Sequence, residues 1–243
     1  PGRTESGVKR PDARAAAALR KGLEVAPGRS EAHFALADLL VRRGLLVEAR
    51  REVDAVASRR PGEAGIRRAF IEAAAGRPEA ARESAARASG EVPAAEPYVE
   101  GLLAHGRGEH AAAIPFLRRA LEAAAGRSPR LLPRVHDLLG SSLAAEAART
   151  ADEALREQLL QEAERQLRIE LALEPTSASA VRSLCDVHVL AGAPEKVGRE
   201  LELFARGNPS SATLRLGAAI LARAGRSEES ARWSLRARAG AAR

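Results

Sequence analysis

The stretch SEAHFALADLLVRRGLLVEARREVDAVASRRPGE, residues 30–63, reads as two short helices joined by a glycine turn. Leu36 and Ala37 sit in the first helix, and Gly44 follows eight residues after Leu36, where a turn is needed. Glu48-Ala49 opens the second helix, Val53 follows four residues later, and Pro61 is expected to close it. Proline lacks an N–H and disfavours helix in the residue before it. Small residues such as Ala37 and Ala49 let two helices approach closely, while the larger apolar residues fill the gaps around them.

The pattern recurs. Pro27 to Pro61 and Pro175 to Pro209 are both intervals of 34 residues, and Pro93 falls 32 after Pro61. A fixed period near this length in an Ala/Leu-rich chain marks stacked helical hairpins. Residues 12–27 match a second helix alone, through Ala15, Leu19, Leu23 and Pro27. Residues 62–93 carry Ala81, Ala85, Ala88 and Pro93 behind a turn at Gly76. Residues 94–125 carry Gly101, Gly108, Ala113, Leu117 and Ala120. Residues 176–209 carry Leu184, Cys185, Gly192, Leu201, Phe204 and Pro209; residues 210–243 carry Leu214, Ala218, Leu221, Gly225, Ser230 and Trp233.

One unit breaks the period, because Ala125 to Pro175 spans 50 residues. Thr150 and Glu153 form a capping-box pattern, and Leu155, Leu159, Ala163, Leu167 and Leu171 then recur every four residues. The preceding helix is predicted to run through Leu131, Val135, Leu138, Leu139 and Leu143. Both helices are expected to be lengthened, so that the hairpin at about 128–175 projects, either as a neutral insertion or as a docking horn.

The 30–63 unit, with Leu36-Ala37, Gly44, Ala49 and Pro61, resembles the tetratricopeptide repeat (TPR) family. That resemblance implies an all-α, right-handed solenoid of about six hairpins over residues 12–243, after a flexible segment 1–11. It implies a non-catalytic scaffold that holds a protein or peptide partner in a concave groove lined by the first helices. Mapped onto this chain, the groove positions form two zones. One holds Phe34, Asp38, Val41, Arg42, Ile66, Arg67, Phe70, Tyr98, Leu102 and His105; the other holds Asp137, Ser141, Arg182, Asp186, Arg215 and Arg223. Aromatic and Arg side chains are the usual anchors of an interface. The chaperone-type carboxylate clamp is missing from this pattern, since the single Asn, Asn208, precedes Pro209 outside the groove. The segment LELFARGNPSSATLRLGAAILARAGRSEESARWSLRAR, residues 201–238, also resembles the TPR pilotin lipoproteins of type IV pilus secretin assembly.

Composition narrows the function. The chain has 243 residues and a formal net charge of +7, from 39 Lys and Arg against 32 Asp and Glu. Lys occurs only at positions 9, 21 and 196, and Arg and Glu are interleaved, as on solvated helix faces. A basic chain can hold phosphates. Single-strand binders, however, need stacking platforms, and aromatics are 2% here. Nucleic acid is therefore not the expected partner. One cysteine excludes an internal disulfide, and Cys185 is expected to be a buried thiol. No GxxxxGK, HExxH or GxSxG motif occurs, and no cofactor or metal is expected. His105 and His110, with Glu109, read as a solvated turn. No apolar run is long enough to span a bilayer. The chain opens with Pro1, holds no Met and enters the array at a second helix. A native segment upstream of residue 1 is expected, and a lipid anchor there would suit an envelope assembly factor. A targeting arm of a larger enzyme is the alternative reading.

Overall fold

Alanine, leucine and arginine at helical spacing, punctuated by single glycines, give helices and turns and leave little for strands. The structure, a computed structural model, describes residues 11–241, which form thirteen helices and no strand. The flexible segment expected at 1–11 lies outside the described residues, except that Pro11 begins the first helix. In chain order the helices are α1 (Pro11–Val25), α2 (Ser30–Arg42), α3 (Leu46–Asp54), α4 (Pro61–Ala74), α5 (Pro78–Ser89), α6 (Ala95–Gly106) and α7 (His110–Ala123). There follow α8 (Val135–Ala147), α9 (Glu153–Leu173), α10 (Ala178–Leu190), α11 (Glu195–Gly207), α12 (Ser211–Arg223) and α13 (Ser227–Ala241). A lone second helix, α1, is thus followed by six hairpins.

Five of the six hairpins turn on one device. Gly44, Gly76, Gly108, Gly192 and Gly225 all have φ between 71° and 75°, the left-handed region that penalises a Cβ. The residue after each glycine donates back to a carbonyl five positions earlier, as in Leu45 N–H to Leu40 O at 2.9 Å and Arg226 N–H to Leu221 O at 2.9 Å. This is the Schellman closure, which satisfies carbonyls at the helix end. Pro61 does not end α3: it is the first residue of α4, where its missing N–H costs nothing.

Within three of the hairpins a glycine meets a large residue. A Cβ on Gly101 would lie 2.7 Å from Leu117 Cγ, and one on Gly140 would lie 2.6 Å from Leu167 Cγ. On Gly217 it would lie 2.3 Å from the Trp233 ring, so Trp233 packs inward against the last hairpin, 4% exposed. The core accordingly runs along the array in three contiguous stretches, centred on Leu36 and Leu40, on Leu139 and Leu167, and on Leu201 and Leu221. Each unit packs mainly on its neighbours, as expected of a stacked repeat.

The long unit is built differently from the expectation. α9 is lengthened to 21 residues, but α8 keeps an ordinary 13, and Leu131 belongs to the loop before it. The extra sequence is therefore two added turns of α9 plus a strap, residues 124–134, between α7 and α8. The cap of α9 is Asp152, whose carboxylate accepts from the N–H groups of Ala154 and Leu155. Thr150 instead donates to Glu146 O at the end of α8, 2.9 Å away. A carboxylate nearer the first free N–H groups displaces the hydroxyl from that role.

The strap is fastened inward rather than projecting. Gly126 (φ 76°) ends α7, and Arg134, also left-handed at φ 57°, turns the chain into α8. Leu131 and Leu132 are each 3% exposed. Tyr98 Oη donates to Pro133 O at 2.8 Å, Arg67 Nη2 to Arg130 O at 2.9 Å, and Arg130 Nη2 to Leu173 O at 2.6 Å. Arg42 closes the arrangement through an ion pair with Glu174, 3.2 Å, joining α2 to the far end of α9.

Candidate binding face of the first helices

The strap and the added turns of α9 divide the face formed by the first helices. In its N-terminal half, Phe34, Asp38, Arg42, Arg67 and Phe70 come together around one pocket of about 430 Å³. The remaining wall comes from the chain itself, through Pro129, Leu132 and Pro133 of the strap and Glu170 and Leu173 of α9. Ile66 and Tyr98 do not face this space: both are 0% exposed and belong to the core beneath. Leu102 packs half-buried against the same core. Ile66 and Tyr98 are thus core rather than groove residues, the tyrosine hydroxyl serving to hold the strap, and Leu102 does not line the pocket.

The charges in this half are mostly spent on one another. Arg67, 4% exposed, lies over the Phe34 ring at 4.3 Å and reaches Asp38 Oδ2 at 3.3 Å. Burial raises the Asp38 carboxyl above its usual range, against the pull of Arg67 and Arg42. Arg134 grips Asp137 Oδ2 at 2.6 Å, and Ser179 Oγ donates to the same oxygen at 2.7 Å. Glu170 stands beside this pair. Burial, and then the Asp137 charge, push its pKa up to about 7, although Arg134 and the Asp137 N–H pull the other way.

The C-terminal half is open. α8, α10 and α12 line a groove of about 450 Å³ with Ala144, Ala145, Ala148, Val189 and Ile220 on its floor. Asp186, predicted for this zone, pairs with Arg223 at 2.8 Å on its rim. Arg182 is exposed and has no ion pair among the described residues. Arg215 is likewise exposed but opens onto a separate hollow between α12 and α13. The floor was hard to foresee from sequence. It is built from alanines and Val189, which carry no signal beyond helical spacing.

The remaining candidates have structural roles. Cys185 is buried, and burial pushes its thiol up to about 12, which keeps it protonated and unreactive. His105 and His110 stack edge to face at 5.3 Å, and His105 Nδ1 lies 2.9 Å from Ser142 Oγ. His105, on α6, and His110, which opens α7, are thus both partly buried across the hairpin turn rather than fully solvated in it. Among the described residues no group of three His, Cys, Asp or Glu side chains is placed to hold a metal. None of the described helices is long and apolar enough to cross a membrane.

Comparison with known proteins agrees with this architecture. A tetratricopeptide repeat family model matches residues 13–69. TTC0263, a thermophilic TPR protein of Thermus thermophilus, superposes with a TM-score of 0.53 at 20% identity, covering 75% of this chain and 92% of that one. A human IFIT1 dimer with PPP-AAAA gives a TM-score of 0.52 at 14% identity, covering 98% of this chain and 70% of that one. At these identities the likeness is one of fold. No curated protein matches the chain.

Proposed function

The chain is an all-α solenoid of hairpins like those of tetratricopeptide repeats, and from that premise we propose that it is a non-catalytic scaffold holding a segment of a partner protein against α8, α10 and α12. The observation that carries this reading is the open groove, whose alanine and valine floor is accessible while the corresponding N-terminal face is covered by the chain's own strap. A floor of small side chains lets a partner helix or extended segment approach the backbone closely. The Arg223–Asp186 pair at the rim and the exposed Arg182 elsewhere on α10, with the net charge of +7, favour a segment that alternates apolar and acidic residues.

The experiment is a binding titration with a captured partner, its contact segment mapped by cross-linking. Val189→Asp places a charge on the groove floor at a position 38% exposed, where folding tolerates it. Binding should fall at least about tenfold, a loss of ~1.4 kcal/mol. Val25→Asp, on a residue 85% exposed and far along the array, should leave it unchanged. Equal binding by both variants would remove the groove from the account.

The narrower role of envelope assembly factor rests on the resemblance of residues 201–238 alone. Co-purification of a secretin subunit, lost in Val189→Asp, would support it. A catalytic domain in the same reading frame would replace the free-standing scaffold with a targeting arm.

A further inference from the structure

The N-terminal pocket holds a feature that neither folding nor the scaffold role uses. Arg67 is 4% exposed, yet only its Nη2 is engaged, with Asp38 Oδ2 at 3.3 Å and Arg130 O at 2.9 Å. Its Nε and Nη1 are buried and have no hydrogen-bond partner among the described residues. A guanidinium withdrawn from water with donors unspent is costly, and such groups are normally paired. The side chain lines the pocket, with the aromatic rings of Phe34 and Phe70 and the strap residues Leu132 and Pro133 around it. The volume, about 430 Å³, lies in the range of small-molecule sites. It is too confined for a through-running peptide, because the strap crosses on one side and the Arg42–Glu174 pair bridges another.

We propose that this pocket binds a small monocarboxylate with an apolar body, one carboxylate oxygen accepting from Arg67 Nε–H and the body lying against Phe70, Leu132 and Pro133. A carboxylate oxygen accepts a charge-assisted hydrogen bond from a guanidinium N–H more strongly than a neutral acceptor does. A multiply charged anion is not favoured, since the five arginines that line the space are matched by five carboxylates, Asp38, Glu170 and Glu174 among them. A single negative charge is better tolerated, because burial favours the protonated forms of Asp38 and Glu170 and Glu174 is already paired with Arg42. The strap supplies the lid of the pocket, which gives the long α7–α8 connection a purpose that a stacked repeat does not require. This site is independent of the C-terminal groove and stands even if that groove binds nothing.

The test is titration calorimetry on the full chain with octanoate and phenylacetate, alongside the side-chain Nε–H resonance of Arg67. Octanol tests the apolar body without the charge, and inorganic phosphate tests the charge without the body. The Arg67→Met/Asp38→Asn double variant removes the pair together, so no buried charge is stranded. Ala35→Phe fills the pocket from α2 and leaves Arg67 in place. The expected result is saturable one-site binding of at least one carboxylate with a shift of the Arg67 Nε–H. Octanol and phosphate should bind at least about tenfold more weakly, and both variants should lose binding while keeping native helicity. The proposal is overturned if neither carboxylate binds, if octanol or phosphate binds as well as the better carboxylate, or if either folded variant retains the affinity.

Discussion

Gly140 and Gly22 show how the same substitution takes opposite signs along this chain. A Cβ at Gly140 would sit 2.6 Å from Leu167 Cγ and 3.2 Å from the Ala163 carbonyl, so neither the side chain nor the backbone of α9 can yield cheaply. At Gly22 in α1 nothing lies within 4 Å. Gly140→Ala should therefore lose about 1–2 kcal/mol, overpacking outweighing helix propensity. Gly22→Ala should gain roughly 0.5–1 kcal/mol. Chemical denaturation of both variants checks the pair, and a gain at Gly140 would show the hairpin to be looser than described. Tyr98 offers a second residue-scale check. Removing its hydroxyl leaves Pro133 O without this donor inside the core, so Tyr98→Phe should cost about 1 kcal/mol. Of the close-packed glycines only Gly101 was legible in the sequence, since Gly140 and Gly217 do not follow it at the repeat interval. The role of the Tyr98 hydroxyl was not, since a partner 35 residues away in an irregular segment has no periodic signal.

At the scale of elements, α9 carries an electrostatic burden that its length imposes. The added turns bring Glu170, 5% exposed, beside Asp137, Arg134 and Glu174. Its folded pKa of about 7 stands above the ordinary 4.5, so the folded chain holds the proton more tightly than the unfolded one. The stability contribution is whole below about 4.5 and is lost as pH rises to about 7. Glu170→Gln should accordingly raise stability at pH 8 by about 1–3 kcal/mol and change it little at pH 4. Urea titrations of both proteins at the two pH values measure the difference, and equal effects at both would contradict it. The period break announced an unusual element here, and the leucines from Leu155 to Leu171 gave α9 its helical character. The division of the surplus between helix and strap was hidden, because Leu131 and Leu132 suit a helix as well as they suit a buried loop. Pro129 and Pro133 decide the matter by removing two N–H groups from any such helix.

For the whole molecule, the interleaved Arg and Glu residues tie successive second helices along the outer face. Arg20 pairs with Glu48 at 3.0 Å, Arg118 with Glu162 at 2.5 Å, Arg168 with Glu200 at 3.1 Å, and Arg236 with Glu202 at 2.5 Å. The sequence suggested pairs within one helix; many of those observed bridge neighbouring units instead. Exposed pairs of this kind contribute roughly 0–1 kcal/mol each and align the stack more than they hold it. The larger consequence for function is the partition of the first-helix face into a half closed by the chain and a half left open. Sequence placed ten residues in this zone, of which Phe34, Asp38, Arg42, Arg67 and Phe70 line one pocket, and it could not show that the strap covers them. The most direct test of this partition is site-specific photo-cross-linking to a bound partner, with the probe at Ala145 in the open half or Ala35 in the closed half. Partner adducts are expected from position 145 and none from position 35. Adducts from position 35 alone would contradict it.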